Sequence, residues 1–387
     1  MATTLTTLQP PESKPATVRL RDDAGYRQLV GVGGIGTGLF FNLDGDRPLG
    51  RNESRPARLL DARDYCKLHI ICHYVAVLMG ADSGISGFRV LPIGNVGADD
   101  AGYKLIDEMS RAGMDASQVK IVEGGHTLFS VCFLYPDGAG GNITSSSSAA
   151  ATLAPGDLDR YEALLARIGT SSIVLAVPEA PLASRDRLLE LATVHGALRV
   201  ASFASTEIQA AKDRGMFSRI DILALNEDEA GALTGTALDP SNPDPFLARC
   251  ADILCSIQPR IRLVVSAGRR GAFGFDGGRW ELSKAPDVRA VNTAGAGDAL
   301  IAGIVSALAA GMPFLSSCAP PAPRPVATAL DFGVLLAAYS VTSPHTIHPE
   351  ANLDTLLSFA GALGADCAPL TTYSASSPVP AASNRSD

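Results

Sequence analysis

Absences set the first limits on this 387-residue chain. No apolar run reaches the ~20 residues that a membrane-spanning helix needs, and no signal-peptide pattern is present. The seven cysteines, Cys66, Cys72, Cys132, Cys250, Cys255, Cys318 and Cys367, contain no Cys-x-x-Cys pair and are odd in number. That argues against a disulfide framework, so we expect reduced thiols in a cytoplasmic protein. There is no long run of either charge, and the net charge of −8 is mild. Nothing therefore marks a nucleic-acid surface or a membrane partner. No internal repeat is visible. What remains is a chain that is 46% hydrophobic, enough for one large α/β domain or two ordinary ones.

Residues 1–18 and 371–387 are rich in Thr, Ser and Pro without apolar periodicity, and read as tails around a folded part at 19–370. Gln28 to Val32 reads as a short strand running into the glycines of Gly31 to Gly38, which contain a Gly-x-Gly-x-x-Gly match. A dinucleotide site needs a helix directly after those glycines. Residues 39–48 read instead as strand and turn, so a buried strand with a close backbone approach is the better reading than an NAD site. The Arg-rich segment 47–66 is expected to belong to a lid. His69 to Gly80 reads as a helix and Phe88 to Ile93 as a strand. Gly94 to Gly102 should open a helix running to Met114. Thr127 to Tyr135 and Gly141 to Thr144 form a hairpin pattern around Pro136-Asp137-Gly138.

From 157 onward, helix and strand patterns alternate. Helices are expected at 158–168, 185–195 and 330–341, and strands at 172–177, 198–203, 221–225 and 261–265, with a Pro-rich loop at 319–327. Such alternation implies an α/β fold with a doubly wound, mostly parallel sheet flanked by helices.

One stretch organises the chemistry: Val291-Asn292-Thr293-Ala294-Gly295-Ala296-Gly297-Asp298, followed by an apolar helix from Ala299 to Met312. Glycines permit a tight turn and a close ligand approach. Free N–H groups at the helix start face that ligand with the positive end of the dipole, which suits phosphate. Asp298, held ionised by the same dipole, is placed to take a proton from a hydroxyl. The alternative is an ordinary Gly-rich helix entry with Asp298 as a cap.

This stretch resembles the signature Asp-Thr-x-Gly-Ala-Gly-Asp of the ribokinase-like (PfkB) carbohydrate kinases, with Asn292 in place of the first Asp. Gly94-Asn95-Val96-Gly97-Ala98-Asp99-Asp100-Ala101-Gly102 is similar to the family's Gly-x-Val-Gly-x-Asp-x-x-Gly segment. Asn226-Glu227-Asp228-Glu229 resembles its Asn-x-x-Glu motif, and Ser266-Ala267-Gly268-Arg269-Arg270-Gly271 its Thr-x-Gly-x-x-Gly. The resemblance covers about 30–360 and implies a ribokinase-like fold with a small β lid near 39–66 and 126–145. It further implies transfer of the γ-phosphoryl group of ATP to a hydroxyl, commonly a hydroxymethyl, of a sugar or related polyol or nucleoside. Asp298 would be the base, with the N–H groups of Gly295, Ala296 and Gly297 around the transferring group. Asn226 and Glu229 would order Mg²⁺ and phosphates, Glu229 as the metal contact, and Ser266, Gly268 and Gly271 would flank the nucleotide. A small sugar-like substrate is the expected partner, and lid-mediated homodimers occur among relatives.

The chain departs from the family in its acceptor-binding half. Gly38 stands where an acidic residue usually grips sugar hydroxyls, Lys67 falls near a missing Gly-Gly pair, and Ile71 near a missing Asn. Ser202-Phe203-Ala204 replaces Asp-Pro-Asn. Asn292 replaces an Asp that helps order K⁺ in relatives, which counts against activation by that ion. These losses keep open a second reading, an inactive nucleotide-binding regulator. His69, Cys72 and His73 lie on adjacent helical turns, but without a second ligand pair they read as core rather than zinc ligands.

Overall fold

A computed structural model describes residues 17–18, 25–81, 87–136, 140–316 and 325–367. Most of both expected tails, the hairpin tip at Asp137 and Gly138, and much of the Pro-rich loop lie outside the described residues. Val18, assigned to the tail above, is buried and donates its N–H to the Leu78 carbonyl at 2.8 Å.

Among the described residues the strands are β1 (Gln28–Val32), β2 (Gly36–Leu43), β3 (Ala57–Leu59), β4 (Asp64–Tyr65), β5 (Arg89–Gly97), β6 (Val119–Val122), β7 (Leu128–Leu134), β8 (Gly140–Thr144), β9 (Ser172–Ala176), β10 (Leu198–Ser202), β11 (Ile222–Asn226), β12 (Arg262–Ser266), β13 (Ala272–Asp276) and β14 (Arg279–Ser283). The helices are α1 (Lys67–Met79), α2 (Asp100–Arg111), α3 (Glu162–Ile168), α4 (Leu182–Val194), α5 (Ile208–Asp213), α6 (Glu227–Thr234), α7 (Asp244–Ile257), α8 (Ala296–Ala309), α9 (Ala329–Ser340) and α10 (Leu353–Ala362). None is long and apolar enough to cross a membrane.

The large sheet runs β14-β13-β12-β11-β10-β9-β1-β5-β6. It is parallel except where β13 and β14 turn back on β12. Its strands are apolar on both faces, as expected of a sheet covered by helices on both sides. Within β1, Leu29 packs into the core around α1, α8 and α9, while Val30 and Val32 point into the core beneath α4 and α7. Chain order reverses beside β1, with β5 on one side and β9 on the other. Open α/β sheets bind ligands at the carboxyl ends of the strands at such a reversal.

The glycine run after β1 leads straight into β2, with no helix between them, which removes the NAD reading. A Cβ on Gly33 would lie 2.5 Å from Val177 Cγ2, and one on Gly34 2.7 Å from Glu179 Oε2. These glycines therefore serve the close passage of the β1 exit against the β9 exit. Gly94 to Gly97 continues β5 instead of opening a helix. Asp99 then caps α2 by accepting the Gly102 N–H at 2.8 Å, and also accepts the Thr127 N–H at 2.8 Å. That motif thus fastens the root of β7 to α2. The helix expected at 158–168 begins as a 3-10 turn over Pro155–Tyr161.

A second sheet, β3-β2-β7-β8 with β4 also paired to β2, forms the lid. Its pairing puts Leu39, Leu59, Phe129 and Ile143 on one face, all exposed. Gly38, Phe40, Ser130, Cys132 and Asp64 occupy the other. The inner face packs on Ala294, in the turn before α8.

Helix α8 is apolar on nearly every side because α1 and α9 enclose it. It crosses α9 at two glycines: a Cβ on Gly303 would lie 2.6 Å from the Gly333 Cα. Gly303→Ala should therefore lower stability by about 1–3 kcal/mol, the usual cost of overpacking, read as a lower urea midpoint.

Candidate active site

The turn before α8 is built by backbone geometry. Gly295 adopts φ 79°, and a Cβ there would lie 2.9 Å from the Thr346 carbonyl oxygen. Glycine meets both constraints. Helix α8 starts at Ala296 rather than at Ala299, so Asp298 sits within its first turn. The Ala296 N–H, expected to face a ligand, donates to Thr293 O at 3.3 Å instead. The first-turn N–H groups of Gly297 and Asp298 are left as candidate donors to a ligand, since a helix start leaves such groups without an intrahelical acceptor. A Cβ on Gly297 would meet nothing within 4 Å, so this side of the turn opens onto free space. Asn292 shapes the same turn by accepting the Ala294 N–H at 3.0 Å.

Asp298 is buried, and burial pushes its carboxyl up from the ordinary range. Lys67 opposes that shift, with Nζ 3.9 Å from Asp298 Oδ1. The same pairing, outweighing burial, pushes the Lys67 ammonium higher still. Lys67, a candidate acceptor contact by its place near the missing Gly-Gly pair, is the first residue of α1 and the counter-charge of Asp298. Its N–H donates to Glu179 Oε2 at 3.0 Å.

Glu179 belongs to none of the sequence motifs. It lies three residues beyond β9 at the sheet reversal, is held at φ 71°, and burial pushes its carboxyl up to about 7. A non-glycine residue at positive φ is strained and collects at functional sites. Its available signal was a lone acid, in Pro178-Glu179-Ala180-Pro181, after a fully apolar strand.

Asn226 and Glu229 form a reciprocal cap on α6: Asn226 N–H donates to Glu229 Oε2 and Glu229 N–H to Asn226 Oδ1, both at 2.8 Å. Glu229 is nonetheless within electrostatic reach of Lys67 and Asp298, and burial pushes it up to about 7. Ser266 pairs with Asn226 across β11 and β12. Gly268 has φ 52° with open space at its Cβ position. Gly271 has φ 101°, and a Cβ there would lie 2.6 Å from the Ala285 N. Gly271 therefore shapes the turn, while Gly268 and Ser266 border the open edge.

The structure does not gather every candidate. Gly38 brings no functional group, and its Cβ position is taken by Asp64 and Ser130. His69 is buried in the core and His73 partly buried beside it, and burial pushes their imidazoles down to about 3 and about 4, which keeps them neutral. Among the described residues no group of three or more His, Cys, Asp or Glu could hold a metal ion. A Mg²⁺ ion here would depend chiefly on phosphate oxygens and water, a mode this ion favours, with Glu229 as the adjacent carboxylate. The altered Ser202-Phe203-Ala204 closes over Arg185. That guanidinium is fully buried, lies 5.3 Å over the Phe203 ring and pairs with Glu207 at 2.6 Å.

The pfkB family carbohydrate kinase model matches residues 78–352. The chain is 27% identical over 245 residues to a ribokinase of Schizosaccharomyces pombe, covering 62% of this chain and 74% of that protein. It is 25% identical over 291 residues to a probable fructokinase-7 of Arabidopsis thaliana, covering 73% and 80%. Among solved structures, the Burkholderia thailandensis nucleoside kinase in complex with inosine superposes with a TM-score of 0.65 at 15% identity, over 88% of this chain and 99% of that one. The ribokinase of Cryptococcus neoformans var. grubii serotype A in complex with ADP gives 0.65 at 18%, over 86% and 99%. The fold is thus shared.

The raised carboxyls have a signed consequence. A carboxyl whose folded-state value lies above its unfolded one stabilises the fold at low pH and loses that contribution as pH rises through the folded value. For Glu179 the window runs from about 4.5 to about 7. Glu179→Gln should flatten the fall in thermal midpoint between pH 5 and pH 8 relative to the wild type.

Proposed function

The chain belongs to the pfkB family of carbohydrate kinases, and we propose that Asp298 and the α8 N-terminus carry out its phosphoryl transfer, from ATP to a hydroxymethyl group of a sugar or nucleoside. One observation carries this reading: a buried carboxylate lies in the first turn of a helix whose free N–H groups face open space, with an ammonium 3.9 Å away. Asp298 accepts the proton of the acceptor hydroxyl. The N–H groups of Gly297 and Asp298 stabilise the charge on the moving phosphoryl group, which asks for positioning and electrostatics rather than covalent chemistry. Lys67 keeps Asp298 ionised against the effect of burial.

The edge formed by Ser266, Gly268 and the α6 cap supports a nucleotide site beside this centre. Mg²⁺ bound there by phosphates and by Glu229, directly or through water, would neutralise phosphate charge. An inactive regulator is the weaker reading, because the base, its counter-charge and the open helix start all persist. The exposed apolar outer face of the lid supports a homodimer joined lid to lid.

Asp298→Asn should keep ATP binding near normal and lower kcat by at least ~10²-fold, measured as ADP release across a panel of sugars, sugar phosphates and nucleosides. Retained turnover would remove the base from Asp298. The pair Leu59→Lys and Ile143→Lys should shift the protein to monomer mass in sedimentation, and an unchanged mass would exclude the lid interface.

A further inference from the structure

We propose that Asp64 supplies the acceptor-gripping carboxylate that β2 lacks, so that a hydroxyl of the phosphate acceptor is held from β4, on the lid, instead of from the first lid strand. The proposal rests on the kinase reading above. Gly38 and Asp64 are register partners in the antiparallel β2–β4 pair. A Cβ built on Gly38 would lie 2.6 Å from Asp64 Oδ2. The carboxylate on β4 thus occupies the space that a side chain on β2 would need, and the two positions exclude each other. Ser130 Oγ and the Ser130 carbonyl oxygen press on the same position, so a glycine at 38 leaves room for both β7 and the acid at 64.

The carboxylate is anchored and aimed. Ser130 Oγ–H donates to Asp64 Oδ2 at 2.5 Å and Cys132 Sγ–H at 3.5 Å, both from the inner lid face. A carboxylate offers about four acceptor sites. Ser130 and Cys132 account for two of them, both at Oδ2, which leaves capacity for a hydroxyl donor. Lid pairing does not require a charge here, because an amide could accept the same bonds. Asp64 is 6% exposed, and burying an ion without a functional return is unfavourable.

Its neighbours tie it to the reacting centre. Thr346 N–H donates to the Arg63 carbonyl at 3.1 Å and Tyr65 N–H donates to Thr346 Oγ1 at 3.0 Å. The Thr346 carbonyl is the group packed against Gly295 of the anion turn. Three residues after Asp64, Lys67 reaches Asp298. Asp64 is close enough to influence the Asp298 carboxyl and to be influenced by Lys67.

The test compares wild type and Asp64→Asn for ADP release with Mg-ATP, using the best acceptor from the sugar and nucleoside panel together with its monodeoxy analogues. Loss of a charged hydrogen bond should raise the acceptor KM roughly 10- to 150-fold, with the ATP KM unchanged and kcat affected less. One deoxy analogue should show nearly the same KM with both proteins, because the bonded hydroxyl is already gone. An unchanged acceptor KM in Asp64→Asn, or an equal rise for every analogue, would overturn the proposal while leaving the kinase reading intact. Wild-type protein that releases no acceptor-dependent ADP would instead overturn the kinase reading, and this proposal with it.

Discussion

Charge gathered around a single ammonium is the constraint on which the rest depends. Asp298, Glu179, Glu229 and Asp64 converge on Lys67 at the carboxyl edge of the sheet, and each is pushed up by burial. One ammonium among four carboxyls cannot keep all of them ionised near neutrality. The pair with direct contact, Lys67 and Asp298, is favoured, while Glu179 and Glu229 titrate near about 7. A carboxylate buried in this way needs its partner, since a buried charge stripped of its counter-ion is strongly disfavoured. Residues from α1, the β9 exit, α6, α8 and the lid therefore depend on one another for their charge states.

The scaffold serves that convergence. The reversal at β1 opens a crevice between the β1 and β9 exits, and Gly33 and Gly34 let the two exits approach until Glu179 stands beside α1. Close packing of α8 on α9 through Gly303 and Gly333 fixes the direction of the helix whose start forms the anion turn. Thr346 holds that turn from one side and Arg63 and Tyr65, at β4, from the other. Small residues at these contacts leave no slack, and close-packed interiors transmit position rather than absorb displacement.

Several side chains serve structure and chemistry together. Asn226 and Glu229 satisfy the first N–H groups of α6 while presenting a raised carboxyl to the crevice. Asp99 caps α2 and secures the lid root at Thr127. A polar motif near a site is thus no direct measure of ligand contact. The cap accounts for the Asp99 segment, whereas in the α6 motif proximity to Lys67 and Asp298 adds a second role.

The sequence by itself determined what is local or periodic. Alternating apolar runs specified the doubly wound sheet, because strands buried on both faces leave that pattern. Gly295 to Asp298 announced an anion-facing helix start, because turn chemistry and dipole act over a few residues. The strand-like residues after Gly38 were enough to exclude a dinucleotide helix. Only the tertiary structure decided what depends on separation. Glu179 is one acid after one strand until the reversal at β1 sets it against Lys67, 112 positions away. Lys67 became the partner of Asp298 only when α1 packed on α8. Gly38 carries no side chain, and the space beside it is taken by Asp64, from a strand 26 residues on, and by Ser130. Pairing register, not sequence distance, brings those atoms together, and register is set by the burial of whole faces.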